Sequence, residues 1–346
     1  MHSSTTADAS GPYGPPATVS TPKPGPGRDA ESPLGIPTRG WWRIGQRVIG
    51  RYLDENLGLV AAGVAFYSLL GLFPAIAALV TTYDMAFDAA QIRGQFDALR
   101  DLMPPQVHDL IAARLDSAAD AETDRALGLG LAGAVLLSIW GATRGTRALL
   151  IALNIAYDED EARGFFALNL LAFGLTLFLV LVVAVGIVAT VAVPIVINLL
   201  SLGTLPEILT AWLRWPLLAA VALTALAILY RYGPSRRAAR WRWLPLGSMV
   251  AGVLWLSASG LFSFYVANFG SYNATYGSLG AVVVLLLWLY LSAAAVILGA
   301  CINAETERQT GRDSTVGEPR PRGERDAEVA DQLPETSDPT TSGSDH

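Results

Sequence analysis

Two arginines sit three positions apart in an otherwise apolar run, WGATRGTRALLIALNIAYD, at residues 140–158. They are Arg144 and Arg147, and Asn154 follows Arg147 by seven residues, two helical turns, so the two share a face. A charge held at the centre of a bilayer costs about 2.5–3.5 kcal/mol on insertion scales. Two chemistries fit such a pair. The arginines lie in the last half of their run, so they could snorkel to headgroup phosphates. Alternatively they form an internal cationic site for an anionic group, such as a lipid phosphate or a carboxylate. Asn169 and Asn303 stand in other apolar runs and suit hydrogen bonds across helices, worth about 0.6–2 kcal/mol each. Glu305 falls just past the last apolar run, and its depth predicts a pairing with Arg144 or Arg147 if the second and sixth helices are neighbours.

Other chemistries lack their residues. GLGLAG at 128–133 has the spacing G-x-G-x-x-G, but it sits inside an apolar run with no preceding strand, so a nucleotide fingerprint is rejected. Small residues for close helix packing account for it better, and Gly141 with Gly145 adds a GxxxG pair on the same helix. Lys23 is the only lysine, so no Walker lysine serves a phosphate, and neither nucleotide nor another cofactor is expected. His2, His108, His346 and Cys301 have no metal-ligand spacing. GxSxG and HExxH are absent, and Asn273-Ala274-Thr275 matches a glycosylation sequon by chance.

The elements that must position these residues are membrane helices. The chain has 346 residues, 52% hydrophobic and 16% charged, where soluble domains carry about 25% charged. Residues 164–206 and 243–304 contain no Asp, Glu, Lys or Arg. A run of about 20 apolar residues crosses the hydrocarbon, so each of these stretches is long enough to cross twice. Six spans are expected, at about 57–82, 127–154, 165–197, 206–231, 244–268 and 278–304, with Pro74 kinking the first. The runs are too long, and too free of polar alternation, for barrel strands. No secretory signal is read, because the first apolar run starts near Leu57.

The segment RYGPSRRAARWRW at 231–243 holds five arginines and fixes the orientation. Positive loops stay inside, which places both termini in the cytoplasm. Arg39, Arg43, Arg47 and Arg51 alternate with Trp41, Trp42, Ile44, Val48, Ile49 and Leu53, as in a helix lying in the membrane interface. Between the first two spans, residues 83–126 carry two apolar stripes separated by Pro104-Pro105, which suggests a helical cap on the outer side. Residues 1–38 and 309–346 are poor in apolar side chains and are expected to be disordered, leaving a membrane domain at 40–308. The net charge of −6 argues against a nucleic-acid partner. Membrane lipids are the expected partners, and a homo-oligomer is compatible with the pattern.

Three blocks resemble the YihY/virulence factor BrkB family: AAGVAFYSLLGLFPAIAAL at 61–79, RALLIALNIAYDED at 147–160, and YGSLGAVVVLLLWLYLSAAAVILGACINAE at 276–305. The resemblance covers about 45–308 and implies a bacterial inner-membrane protein of about six spans, with transporter-like or virulence labels. The family also carries an older ribonuclease BN label, which no residue pattern here supports. The expectation is therefore an all-α integral membrane protein that transports or flips an anionic or lipidic substrate. The alternative is a membrane scaffold without transport, tied to envelope integrity or virulence. An enzyme fits poorly, because the spans hold almost no carboxylates for acid–base work.

Overall fold

The computed structural model describes residues 27–84, 126–199, 205–268 and 278–332, with Pro105, His108, Asp109, Ile111, Ala112 and Ala113 between them. The expected outer cap at 83–126 falls largely outside the described residues, as do the tail ends 1–26 and 333–346.

Helices account for nearly all of the regular structure. In hydrocarbon no water satisfies backbone amides, so long apolar runs close their hydrogen bonds within a helix. The elements in order are α1 (Thr38–Asp54), α2 (Leu57–Asp84), α3 (Ala126–Tyr157), α4 (Phe165–Leu199), α5 (Leu205–Tyr232), α6 (Pro245–Asn268), α7 (Ser278–Gln309) and a single turn, α8 (Glu328–Asp331). Among the described residues, five helical segments are long and apolar enough to cross a membrane by length and composition: Leu57–Ala78, Phe165–Thr190, Trp215–Tyr232, Trp241–Ala267 and Leu279–Gln309. The 32-residue α3 is not among them; Arg144 and Arg147 lower the hydropathy of its described part.

The last long helix is the hub. α7 packs against α1, α2, α3 and α6, while α2 lies along α3, α4 along α3 and α5, and α5 along α6. The core around it is apolar and includes Leu57, Leu150, Leu153, Ile297 and Cys301. The α2–α3 contact is backbone to backbone. A Cβ at Gly141 would lie 2.7 Å from the Gly71 Cα, so no larger residue fits at that crossing. A Cβ at Gly145 would meet the Ser68 Oγ at 3.2 Å. Pro74 lies within α2, where the missing N–H leaves the Leu70 carbonyl without its helical donor.

One sequence expectation is overturned at the tails. Residues 309–332, expected to be disordered, form an arm that folds back over the arginine-rich end of the bundle. An antiparallel bridge joins Ala239 to Thr315. The Arg240 N–H donates to the Ser314 carbonyl at 2.8 Å, Val316 to Ala238 at 3.0 Å, and Arg237 to Asp326 at 2.8 Å. Val329 is wholly buried, as are Ser314 and Thr315. The nearer part of the N-terminal tail packs too: Gly311 donates to the Arg28 carbonyl, and Thr310 to that of Ala30. Composition misjudged the arm because its order rests on few apolar groups. Its polar atoms instead find partners on the 231–243 loop.

Candidate functional site

The predicted residues divide into two places. Arg144 and Arg147 lie midway along α3, whereas Asn154, Asn303 and Glu305 belong to a polar layer at the arginine-rich end.

Arg144 points outward and is exposed. Its guanidinium lies over the Trp140 ring, 5.6 Å from the centroid. Leu137, Trp140 and Ile151 share that exposed face at helical spacing, so the surface around the charge is apolar. At about 1.5 Å per residue, Arg144 stands about 20 Å from the end of α3 at Tyr157. Arg147, one turn nearer that end, is half-buried against α4. It donates to the Asn169 Oδ1 at 3.3 Å and lies over the Phe165 ring at 5.8 Å. Phe165 is the first residue of α4, so the guanidinium reaches back to the first turn of that helix. Asn169 is held in turn by donating to the Phe165 carbonyl at 2.7 Å. Neither arginine makes an ion pair among the described residues.

The expected pairing of Glu305 with these arginines is not formed. Glu305 is buried at the end of α7 and faces α1. Arg47 Nε donates to its Oε2 at 2.5 Å, and Arg51 Nε to its Oε1 at 3.3 Å. The physical reason is depth as well as direction: through Arg51, Glu305 is level with Ile155 and Asp158, about 12–16 Å along α3 from Arg147 and Arg144, and those two arginines turn toward α4 and away from the bundle. Arg51 also donates to the Ile155 carbonyl at 3.0 Å and to Asp158 at 3.0 Å, and Asp158 accepts from Arg308 at 2.7 Å. Burial pushes the Asp158 carboxyl up, but these two arginines outweigh it and hold it below its ordinary value. Its backbone takes the left-handed conformation that ends α3, with φ 59°.

The asparagines act as backbone clamps. Asn303, fully buried, accepts from the Gly247 N–H at 2.8 Å and donates to the Leu244 carbonyl at 3.2 Å, which fixes the start of α6 on α7. Gly247 is needed there, since a Cβ would run into Gly299 and Asn303. Asn154 accepts from the Ser235 N–H at 2.8 Å and donates to Glu161 at 2.9 Å. Burial raises the Glu161 carboxyl, but hydrogen bonds from Arg163 and Asn154 overcome this and bring it down to about 2.

Beside this layer lies a second charged group that sequence reading did not single out. Arg236 Nη2 meets Glu307 Oε2 at 2.7 Å, with the arginine side chain 2% exposed and the glutamate 0%. Glu159 stands 4.0 Å from the Arg236 Nε. The available signal was the polar break ETER at 305–308 next to an arginine-rich loop; partner assignment needed the fold. Arg231 and Arg240 donate to the Ala239 and Thr315 carbonyls, so the basic loop is largely occupied by the protein's own backbone. Among the described residues no group of three His, Cys, Asp or Glu could hold a metal ion.

Comparison with known proteins gives one family. The sequence profile of a family described as virulence factor BrkB matches residues 48–324. A Bacillus subtilis protein named ribonuclease-like protein YfkH is 30% identical over 264 residues, covering 75% of this chain and 93% of its own length. A UPF0761 membrane protein of Paraburkholderia xenovorans is 28% identical over 266 residues, and the match spans 59% of that protein. A UPF0761 membrane protein of Pseudoalteromonas translucida is 25% identical over 280 residues, 88% of its length. No solved structure matches.

Proposed function

The chain belongs to the virulence factor BrkB family, and on that premise we propose that it moves anionic lipid headgroups along the outer face of α3. In this reading it is a protein of the bacterial inner membrane with six spans, α2 to α7, and both termini in the cytoplasm. The arginines of the 231–243 loop support that orientation. α1 then lies in the cytoplasmic interface. Ile44 and Val48 are buried toward α7, while Trp42, Ile49 and Leu53 are exposed on the other side for lipid.

One observation carries the proposal: Arg144 is exposed on an apolar face in the middle of a long helix, with no carboxylate partner among the described residues. A charge left in hydrocarbon is costly, and a lipid phosphate drawn down to it would relieve that cost. Arg147 and Asn169, one turn nearer the cytoplasm, offer the next station. The two arginines then form a stepped path with the acyl chains remaining outside the bundle. Its test is transbilayer movement of a headgroup-labelled anionic phospholipid in vesicles containing the purified protein. Replacing Arg144 and Arg147 together by alanine is expected to abolish the movement without affecting insertion. Wild-type movement in that double variant would remove the proposal.

A second reading, a scaffold without transport, draws on the arm and the ion pairs that close the cytoplasmic end. It predicts no lipid movement in the wild-type protein. A nucleic-acid substrate is not proposed, because Arg231, Arg236 and Arg240 already direct donors to the chain's own carbonyls and to Glu307.

A further inference from the structure

We propose that Glu159, Arg236 and Glu307 form a proton-binding site that latches the C-terminal arm, seated when the proton is bound and released when it leaves. The latch is independent of lipid handling. It rests on three elements meeting at one point: the turn after α3, the 231–243 loop and the end of α7, all covered by the arm.

The charges do not balance. Two carboxylates share one guanidinium in a site shielded from water. Glu307 takes the close contact with Arg236, and its Oε2 also accepts from the arm's Ser314 hydroxyl at 2.8 Å. The Glu307 Oε1 and the Arg236 Nη1 are buried and have no hydrogen-bond partner among the described residues. Glu159 is left with the distant side of Arg236 and with one arm amide: the Glu328 N–H donates to its Oε1 at 2.8 Å. That bond ties α8 to the bundle, with Val329 and Ala330 buried beside it. The charged groups facing Glu159 are Arg236 from the loop, Glu307 from α7 and Glu328 from the arm, so two of the three repel its anion. A neutral Glu159 still accepts the amide through its carbonyl oxygen and removes the surplus negative charge.

Burial raises the Glu159 carboxyl to about 7, against the opposing pull of the Glu328 amide and Arg236. With the arm lifted, water returns to the group and its ordinary value of 4.5 is the reference. The closed state therefore binds the proton more tightly. Closure is favoured below pH 4.5, weakens as pH rises, and loses the contribution above pH 7. Between pH 6 and pH 8 the closing equilibrium changes by roughly tenfold on those two values.

Hydrogen exchange on the full chain in phosphatidylcholine nanodiscs tests this, with rates corrected for the intrinsic effect of pH. The amides of Glu328 and its neighbours should lose protection by roughly tenfold from pH 6 to pH 8, while α7 amides stay unchanged. Glu159→Gln, permanently neutral, should keep the arm protected at both pH values. Glu307→Gln frees Arg236 for Glu159 and should move the loss of protection to lower pH. A flat wild-type profile, a Glu159→Gln profile that still falls, a Glu307→Gln profile matching wild type, or a uniform loss through the whole bundle would each overturn the latch.

Discussion

Arg47 donates through Nε to Glu305 Oε2 at 2.5 Å, joining the first helix of the chain to the end of its last spanning helix across 258 positions of sequence. The carboxylate is 1% exposed and also takes Arg51, so it neutralises part of a cluster that includes Arg308. Charges buried together are retained or lost together, because removing one partner strands the others.

Glu305→Ala should therefore destabilise the protein by about 3 kcal/mol, discounted somewhat because Arg47 keeps some access to solvent. Thermal unfolding in detergent provides the measurement. An Arg144→Ala variant in the same assay should leave the midpoint nearly unchanged, since Arg144 makes no ion pair among the described residues. Equal losses in the two variants would contradict this assignment of partners.

Gly141→Ala should cost about 1–3 kcal/mol by forcing α3 away from Gly71, whereas Gly133→Ala should be neutral or slightly stabilising. A Cβ at Gly133 meets nothing within 4 Å. The comparison holds residue type constant and varies only the crossing. Folded yield after detergent extraction and thermal midpoint both report it.

Truncation separates the packed arm from the residues beyond it. Ending the chain after Gln332 should preserve the thermal midpoint. Ending it after Gln309 removes Val329, Ala330 and the Arg325 side chain, whose Nη1 donates to the Ala330 carbonyl at 2.7 Å. That shorter chain should unfold several degrees lower and should expose the 231–243 loop to trypsin. Equal midpoints would show that the arm adds no stability.

Acid should weaken the clamp at Asn154. The folded Glu161 lies at about 2, below its ordinary 4.5, because Arg163 and Asn154 outweigh burial. Its contribution is present above pH 4.5 and is lost as pH falls toward 2. Arg163→Ala removes the main cause, so the variant's midpoint should fall less steeply than wild type between pH 5 and pH 3. Parallel curves would show that Arg163 does not hold Glu161 ionised.

Much of this was open to a reader of the residues, and the boundary is physical. Apolar runs longer than a bilayer is thick must become helices, since no other fold of one strand satisfies its amides in hydrocarbon. The starts and ends of α2, α4, α6 and α7 follow from that, and the placement of charge at their ends follows with it. Arg144 and Arg147 were conspicuous for the same reason: a charge inside an apolar run is costly wherever it points. The sequence by itself also marked Glu305, Asn169 and Asn303 as polar groups in need of partners, and set Asn154 on the face of Arg147.

Only tertiary structure decided who the partners are. Depth along a helix is nearly linear in sequence, but the azimuth of a side chain and the order of helices around the hub are not. Glu305 lies level with Asp158, past the end of α3 and below its arginines, and it bonded to those of α1, because α1 crosses the end of α7 on the side Glu305 faces. The arm at 309–332 was hidden for a related reason. Its burial comes from hydrogen bonds to carbonyls and amides of a loop about 75 residues earlier, and composition cannot register a contact whose partner lies that far away in the chain.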